Sequence, residues 1–163
     1  MILIDAGCAT HGLMNSLDES LRPLLRRFRP EVYFGFDLYP GMLDGQTEIN
    51  GTQCIFSNRA VWTSNGFVTV VEQGNCTHVA EDYESAAAVA SFDFGAFLSL
   101  LPADDLVVKM DIEGAEYPVL WDLYERNLDE RITVLLVEWH PEATANGMLR
   151  EKPPLRCPVE EWK

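Results

Sequence analysis

Residues 107–120 read VVKMDIEGAEYPVL: an apolar strand that passes into a helix with a single glycine, Gly114, to turn on. A junction of this kind belongs to a βαβ unit and therefore to a parallel sheet. The same alternation runs through the chain. A first strand at residues 2–5 ends in the loop 6–12, and a helix is predicted over 15–28, where Leu17, Leu21, Leu24, Leu25 and Phe28 recur at helical spacing. Pro30 ends that helix, and a second strand follows at 32–37. After the turn Tyr39-Pro40-Gly41 a short helix is expected at 42–48, and a third strand at 53–62. Ser64-Asn65-Gly66 predicts a turn into a hairpin strand at 67–72, residues 74–85 a mobile loop, and 89–94 a short strand before a helix at 94–101. The fourth strand, 106–111, feeds a helix at 114–126, and the fifth, 132–139, is continuously apolar, as a strand buried on both faces should be. The expected fold is α/β with a mostly parallel, Rossmann-like sheet in one domain, residues 1–141, and an irregular tail, 142–163, in which Pro153, Pro154 and Pro158 oppose regular structure.

The composition narrows the partners. Hydrophobic residues make up 47% of 163, enough for a buried core. Against 26 acidic residues stand 12 basic ones, a net charge of -14, with no basic stripe for a nucleic-acid backbone or an anionic membrane surface. No apolar run approaches the roughly 20 residues that span a bilayer, and Met1 leads straight into a strand rather than a secretory leader. The expectation is a cytoplasmic protein. Cys8, Cys54, Cys76 and Cys157 are scattered, without a C-x-x-C pair, and read as free thiols.

Candidate site residues cluster at strand ends, where open α/β sheets bind ligands. Asp5, Gly7 and Gly12 frame a loop that lets backbone approach a ligand closely. Asp37 closes the second strand, at a position where an acid accepts hydrogen bonds from ribose hydroxyls. The first loop lacks the G-x-G-x-x-G spacing of pyrophosphate binding, which favours S-adenosylmethionine over a nicotinamide dinucleotide.

Residues 108–120 closely resemble the K-x-D-x-E-G-x-E segment of FkbM-type S-adenosylmethionine-dependent methyltransferases. Asp5-Ala6-Gly7-Cys8 with His11-Gly12 is similar to that family's cofactor loop, and Phe36-Asp37-Leu38-Tyr39-Pro40 to its second-strand segment, where the acid is more often Glu. Asn58-Arg59-Ala60-Val61 and the fifth-strand LVEWH, residues 136–140, fall in the family's order as well. The resemblance covers about residues 2–141. It implies a class I methyltransferase fold and methyl transfer to a hydroxyl of a small-molecule or glycan acceptor. It also implies that Asp5, Gly7, Cys8, His11, Gly12, Asp37, Leu38, Asn58 and Ala60 line the cofactor, with Asp111 beside the reacting centre.

Two departures stand out. The loop between Gly7 and Gly12 is one residue longer than the family's usual pattern, and the chain runs only about twenty residues past the fifth strand. Such sheets finish with a sixth strand and an antiparallel seventh, so a shortened sheet is expected, its edge covered by the tail or by a second subunit in a homo-oligomer. Candidates for the proton acceptor are Asp111, Glu113, Glu138 and His140, whose reference pKa near ~6.5 would let it take a proton at neutral pH. Lys109, two residues before Asp111 on the same strand face, is expected to pair with a carboxylate. Glu116 is expected to complement its helix dipole. Asp111, Glu138 and His140 have the chemistry to hold Mg²⁺ or Mn²⁺, but no metal is assigned. Two other functions suit the same residues: a nucleotide-dependent oxidoreductase, or a non-catalytic module that kept the fold.

Overall fold

The computed structural model describes residues 1–8, 17–38, 44–73, 76–79, 87–102, 105–141 and 151–162. Its main sheet is built on β1 (Ile2–Ala6), β2 (Val32–Phe36), β3 (Gly45–Ile49), β4 (Thr52–Ser57), β9 (Leu106–Met110), β10 (Ile132–Val137) and β11 (Val159–Glu161). Their spatial order is β11-β10-β9-β1-β2-β4-β3, and every neighbouring pair is parallel except β3 with β4. Numbered along the chain, the parallel strands run 3-2-1-4-5-6, the doubly wound order whose direction reverses between β1 and β9. The expected α/β, mostly parallel sheet is therefore present.

Helices cover both faces because the central strands β1, β9 and β10 carry apolar residues on both. Leu21 and Leu24 of α1 (Leu17–Phe28) pack with Leu3, Tyr33, Val107 and Leu136 on one side. Leu98 of α2 (Phe94–Leu100) and Val119, Leu120 and Leu123 of α3 (Glu116–Glu125) cover Ile4, Val108, Met110, Leu135 and Val137 on the other. A smaller sheet, ordered β5-β8-β6-β7, is made of β5 (Ala60–Trp62), β6 (Gly66–Gln73), β7 (Cys76–Val79) and β8 (Ala87–Asp93). Phe36 of β2 meets Phe92 of β8 at 4.6 Å between ring centroids, and both meet Phe97 of α2, so one aromatic cluster joins the two sheets.

Four sequence expectations are corrected. The helix expected at 42–48 is replaced over its described part by strand β3, whose polar, exposed residues form a hairpin with β4 through the positive-φ pair Asn50 and Gly51. The single strand expected at 53–62 is two, β4 and β5, which belong to different sheets. Part of the loop expected at 74–85 is β7, paired antiparallel with β6. The tail is not wholly irregular: β11 pairs in parallel with β10 and covers the edge that the shortened sheet would have exposed. Pro158 serves this pairing, its carbonyl accepting from Leu135 N at 2.9 Å. Cys8, Cys54 and Cys157 are buried and carry no disulfide, as expected. Among the described residues no helix is long and apolar enough to cross a membrane.

Candidate functional site

The reversal between β1 and β9 opens a crevice at the carboxyl ends of the strands, and the backbone is laced tightly there. Gly7 N and Cys8 N both donate to Phe36 O, at 2.8 and 3.2 Å, and Asp111 N donates to Ala6 O at 2.9 Å. Gly7 has φ +79°, and a Cβ at this position would stand 1.6 Å from the Asp111 carbonyl oxygen. Only glycine lets the first loop cross the end of β9 this closely.

Beneath the loop lies Lys109, which shares a strand face with Val107 and stands opposite Asp5 in the parallel register. Its Nζ reaches Gly7 O at 2.6 Å, Asp111 Oδ2 at 3.1 Å and Asp5 Oδ1 at 3.2 Å. Burial works against the ammonium, but Asp5 and Asp111 outweigh it and hold its pKa above the usual lysine value. Asp5 is 2% exposed and also accepts from Tyr33 Oη at 2.9 Å. Its side chain is thus an internal anchor for Lys109 and offers a ligand no surface. Gly35, paired with Asp5, leaves room for the Tyr33 and Phe56 rings, either of which would meet a Cβ at 2.9 Å.

The second layer of the site is organised by Glu116. Glu113 and Gly114 take positive φ, +53° and +96°, as the chain bends from β9 toward α3. The Glu116 side chain, wholly buried, reaches back to accept Ile112 N at 2.8 Å and Gly114 N at 2.9 Å. It also meets His140 Nδ1 at 3.1 Å. Glu116 therefore does more than complement a helix dipole: it fixes the loop that carries Asp111 and Glu113 and binds that loop to the end of β10.

The other imidazole nitrogen of His140, Nε2, faces Glu138 Oε1 at 3.7 Å, Asp111 Oδ1 at 3.8 Å and Glu113 Oε2 at 3.9 Å. The hydrogen bond to Glu116 and the fields of Glu116, Glu113 and Asp111 push its pKa up to about 9 against the opposing effect of burial. Near neutral pH His140 is an imidazolium. This corrects its reading as a proton acceptor, because a ring ringed by carboxylates keeps its proton. Lys109 and His140 supply two positive charges among five carboxylates, those of Asp5, Asp111, Glu113, Glu116 and Glu138. The rim that Asp111, Glu113 and Glu138 present is partly open to solvent and negatively charged. Asp111, Glu113 and His140 each offer an atom within 4.8 Å of the others, a grouping with Glu113 rather than Glu138 as the third member. A cation there would have to displace the imidazole proton.

The remaining candidates divide by position. Asp37 and Asn58 each follow directly on the paired residues Phe36 and Ser57, so they stand together at the carboxyl ends of β2 and β4. Asp37 N donates to Ser57 O at 3.4 Å. Leu38 packs on the small core of Ala60, Val68 and Val70, and Ala60 is buried within β5. His11 and Gly12 lie outside the described residues. Trp139 packs on Tyr117 at 5.1 Å, and Lys152 from the tail lies over its ring at 4.7 Å. Sequence reasoning missed Tyr33, although a tyrosine inside a buried strand signals a partner for its hydroxyl. Comparison with protein-family models, curated proteins and solved structures returned no match for this chain.

Proposed function

We propose that the chain is an S-adenosylmethionine-dependent O-methyltransferase acting on a hydroxyl of a carbohydrate or natural-product acceptor, on a class I methyltransferase-type sheet. The observation that carries this reading is the acidic rim of Asp111, Glu113 and Glu138 at the point where the strand order reverses. A crevice of that sign favours a cationic ligand, and a sulfonium is one. When bound, the cofactor would supply an electrophilic methyl group. Asp37 would accept hydrogen bonds from its ribose, and the backbone around Gly7 and Cys8 would form the floor beneath it. Asp111 is held at Oδ2 by Lys109, while its Oδ1 makes no hydrogen bond among the described residues. With the cofactor bound, Oδ1 would be the atom to receive the acceptor hydroxyl's proton, with His140 steadying the carboxylate. Alignment and a positioned base of this kind each lower a barrier by several kcal/mol.

Isothermal titration of the folded chain with S-adenosylmethionine tests the reading directly; absence of binding removes it. With binding in hand, Asp37→Ala should weaken it by about tenfold, and Asp111→Asn should lower turnover by roughly 10²-fold or more with the fold intact. A second reading rests on β11. Its parallel pairing completes the 3-2-1-4-5-6 order of dinucleotide-binding sheets. Stronger binding of a nicotinamide dinucleotide in a direct competition would favour that reading instead.

A further inference from the structure

At the opposite edge of the sheet, where the parallel strands begin, a cavity of about 750 Å³ lies between the end of α1 and the β3–β4 turn. Its lining includes Arg22, Arg26 and Arg29 on one side and Asn50, Gly51 and Thr52 on the other. We propose that this cavity binds a small oligophosphate, separately from the carboxyl-end crevice.

The arrangement is unusual for this chain. Four of its 12 basic residues fall in the segment 22–29, in a protein of net charge -14. Arg22 and Arg26 stand at i and i+4 on α1, a spacing at which like charges repel, and Arg29, just past the helix, joins them in the lining. Complementing the helix's carboxyl end accounts for Arg26 and Arg27 but not for a residue a full turn earlier or one beyond the helix. Arg29 also occupies a left-handed position, φ +49°, just past the helix, where glycine is usual. Several other cations are matched by acids: Arg27 to Glu160, Lys109 to Asp5, Arg126 to Asp93 and Arg156 to Asp129. Among the described residues Arg26 and Arg29 show no such pairing, and the one acid in the lining, Glu31, is 88% exposed.

The far wall is fixed. Thr52 is buried and donates to Pro30 O at 2.9 Å, which ties the start of β4 to the end of the α1 connection. The pocket is open, with Arg22, Arg26 and Arg29 all exposed to solvent, so a charged, hydrated ligand can reach it. Guanidinium forks match phosphate oxygens in pairs, and two or three on one wall suit linked phosphates better than a single carboxylate.

The test is titration of the whole chain with inorganic pyrophosphate, followed by calorimetry and by backbone amide shifts. Saturable binding at about 1 mM or below is expected, weakened about tenfold or more by Arg26→Gln combined with Arg29→Gln. Arg59→Gln, an exposed arginine outside the cavity, should leave it unchanged. Shifts should centre on residues 22–31 and 50–52. No binding, equal binding by the double variant, or shifts centred on Asp37 and Asp111 would overturn the proposal. A nucleoside diphosphate binding no more tightly than pyrophosphate would assign recognition to the phosphates; tighter binding that kept the same shifts would add a base or sugar contact within the same cavity.

Discussion

Glu116 shows how much one buried carboxylate can organise: two backbone amides and an imidazole converge on it. Glu116→Gln keeps the shape but removes the charge, so it should cost about 1–3 kcal/mol of stability in urea unfolding. It should also bring the His140 pKa down from about 9 toward the ordinary value, readable by NMR titration. In the parent chain that raised pKa makes His140 a pH-dependent stabiliser. Its contribution is complete below about 6.5, declines as pH rises because the unfolded chain loses the proton first, and is gone above about 9. The loss should reach about 3 kcal/mol across that window; a flat stability profile there would contradict it. Gly7→Ala is the sharpest steric test. Its Cβ cannot coexist with the Asp111 carbonyl, so a loss above about 4 kcal/mol, or failure to fold, is expected in thermal and denaturant melts. Asp111, Glu113, Glu138 and His140 were recognisable from their places at strand ends, and they do converge. The internal parts of Asp5 and Glu116 were not, because sequence shows that a carboxylate exists but not whether its partner is water, a lysine or a backbone amide.

The β9–α3 junction was legible because strand, glycine and helix follow one another without interruption, so local preference and tertiary context agree. The misread elements lacked that agreement. Residues 45–49 are polar and carry no periodicity of their own; they become a strand only because β4 offers them an edge. The run from β4 to β5 is nearly continuous in composition, and its division depends on β8 capturing β5 for the smaller sheet. Likewise β11 is only VEE, stabilised by what surrounds it rather than by propensity. Asp129, fully buried, accepts from Arg156 N at 2.7 Å and from Arg156 Nη1 at 2.6 Å, pinning the approach to that strand. Asp129→Ala should therefore cost about 3 kcal/mol. Amide exchange should rise first at residues 135–137 and in β11, where the pairing would loosen; unchanged protection there would show that the strand holds without its anchor.

At the scale of the molecule, the excess of 26 acids over 12 bases sets up self-repulsion that the fold has to overcome. Raising sodium chloride from low to near-physiological concentration should lift Tm by a few degrees, about 2–4 °C, as screening relieves that repulsion. A falling Tm would mean that specific pairs such as Arg126 with Asp93 outweigh the global field. The two margins of the main sheet fit the same pattern. One is β3, GQTEI, and the other is β11, VEE, whose three residues are all exposed. Both are short and polar, and both carry acid at the rim. At β3 a second copy meets Glu48 beside a short polar strand, and at β11 it meets the ion pairs of Glu160 with Arg27 and Glu161 with Lys152, so neither margin offers the long apolar edge on which sheets grow.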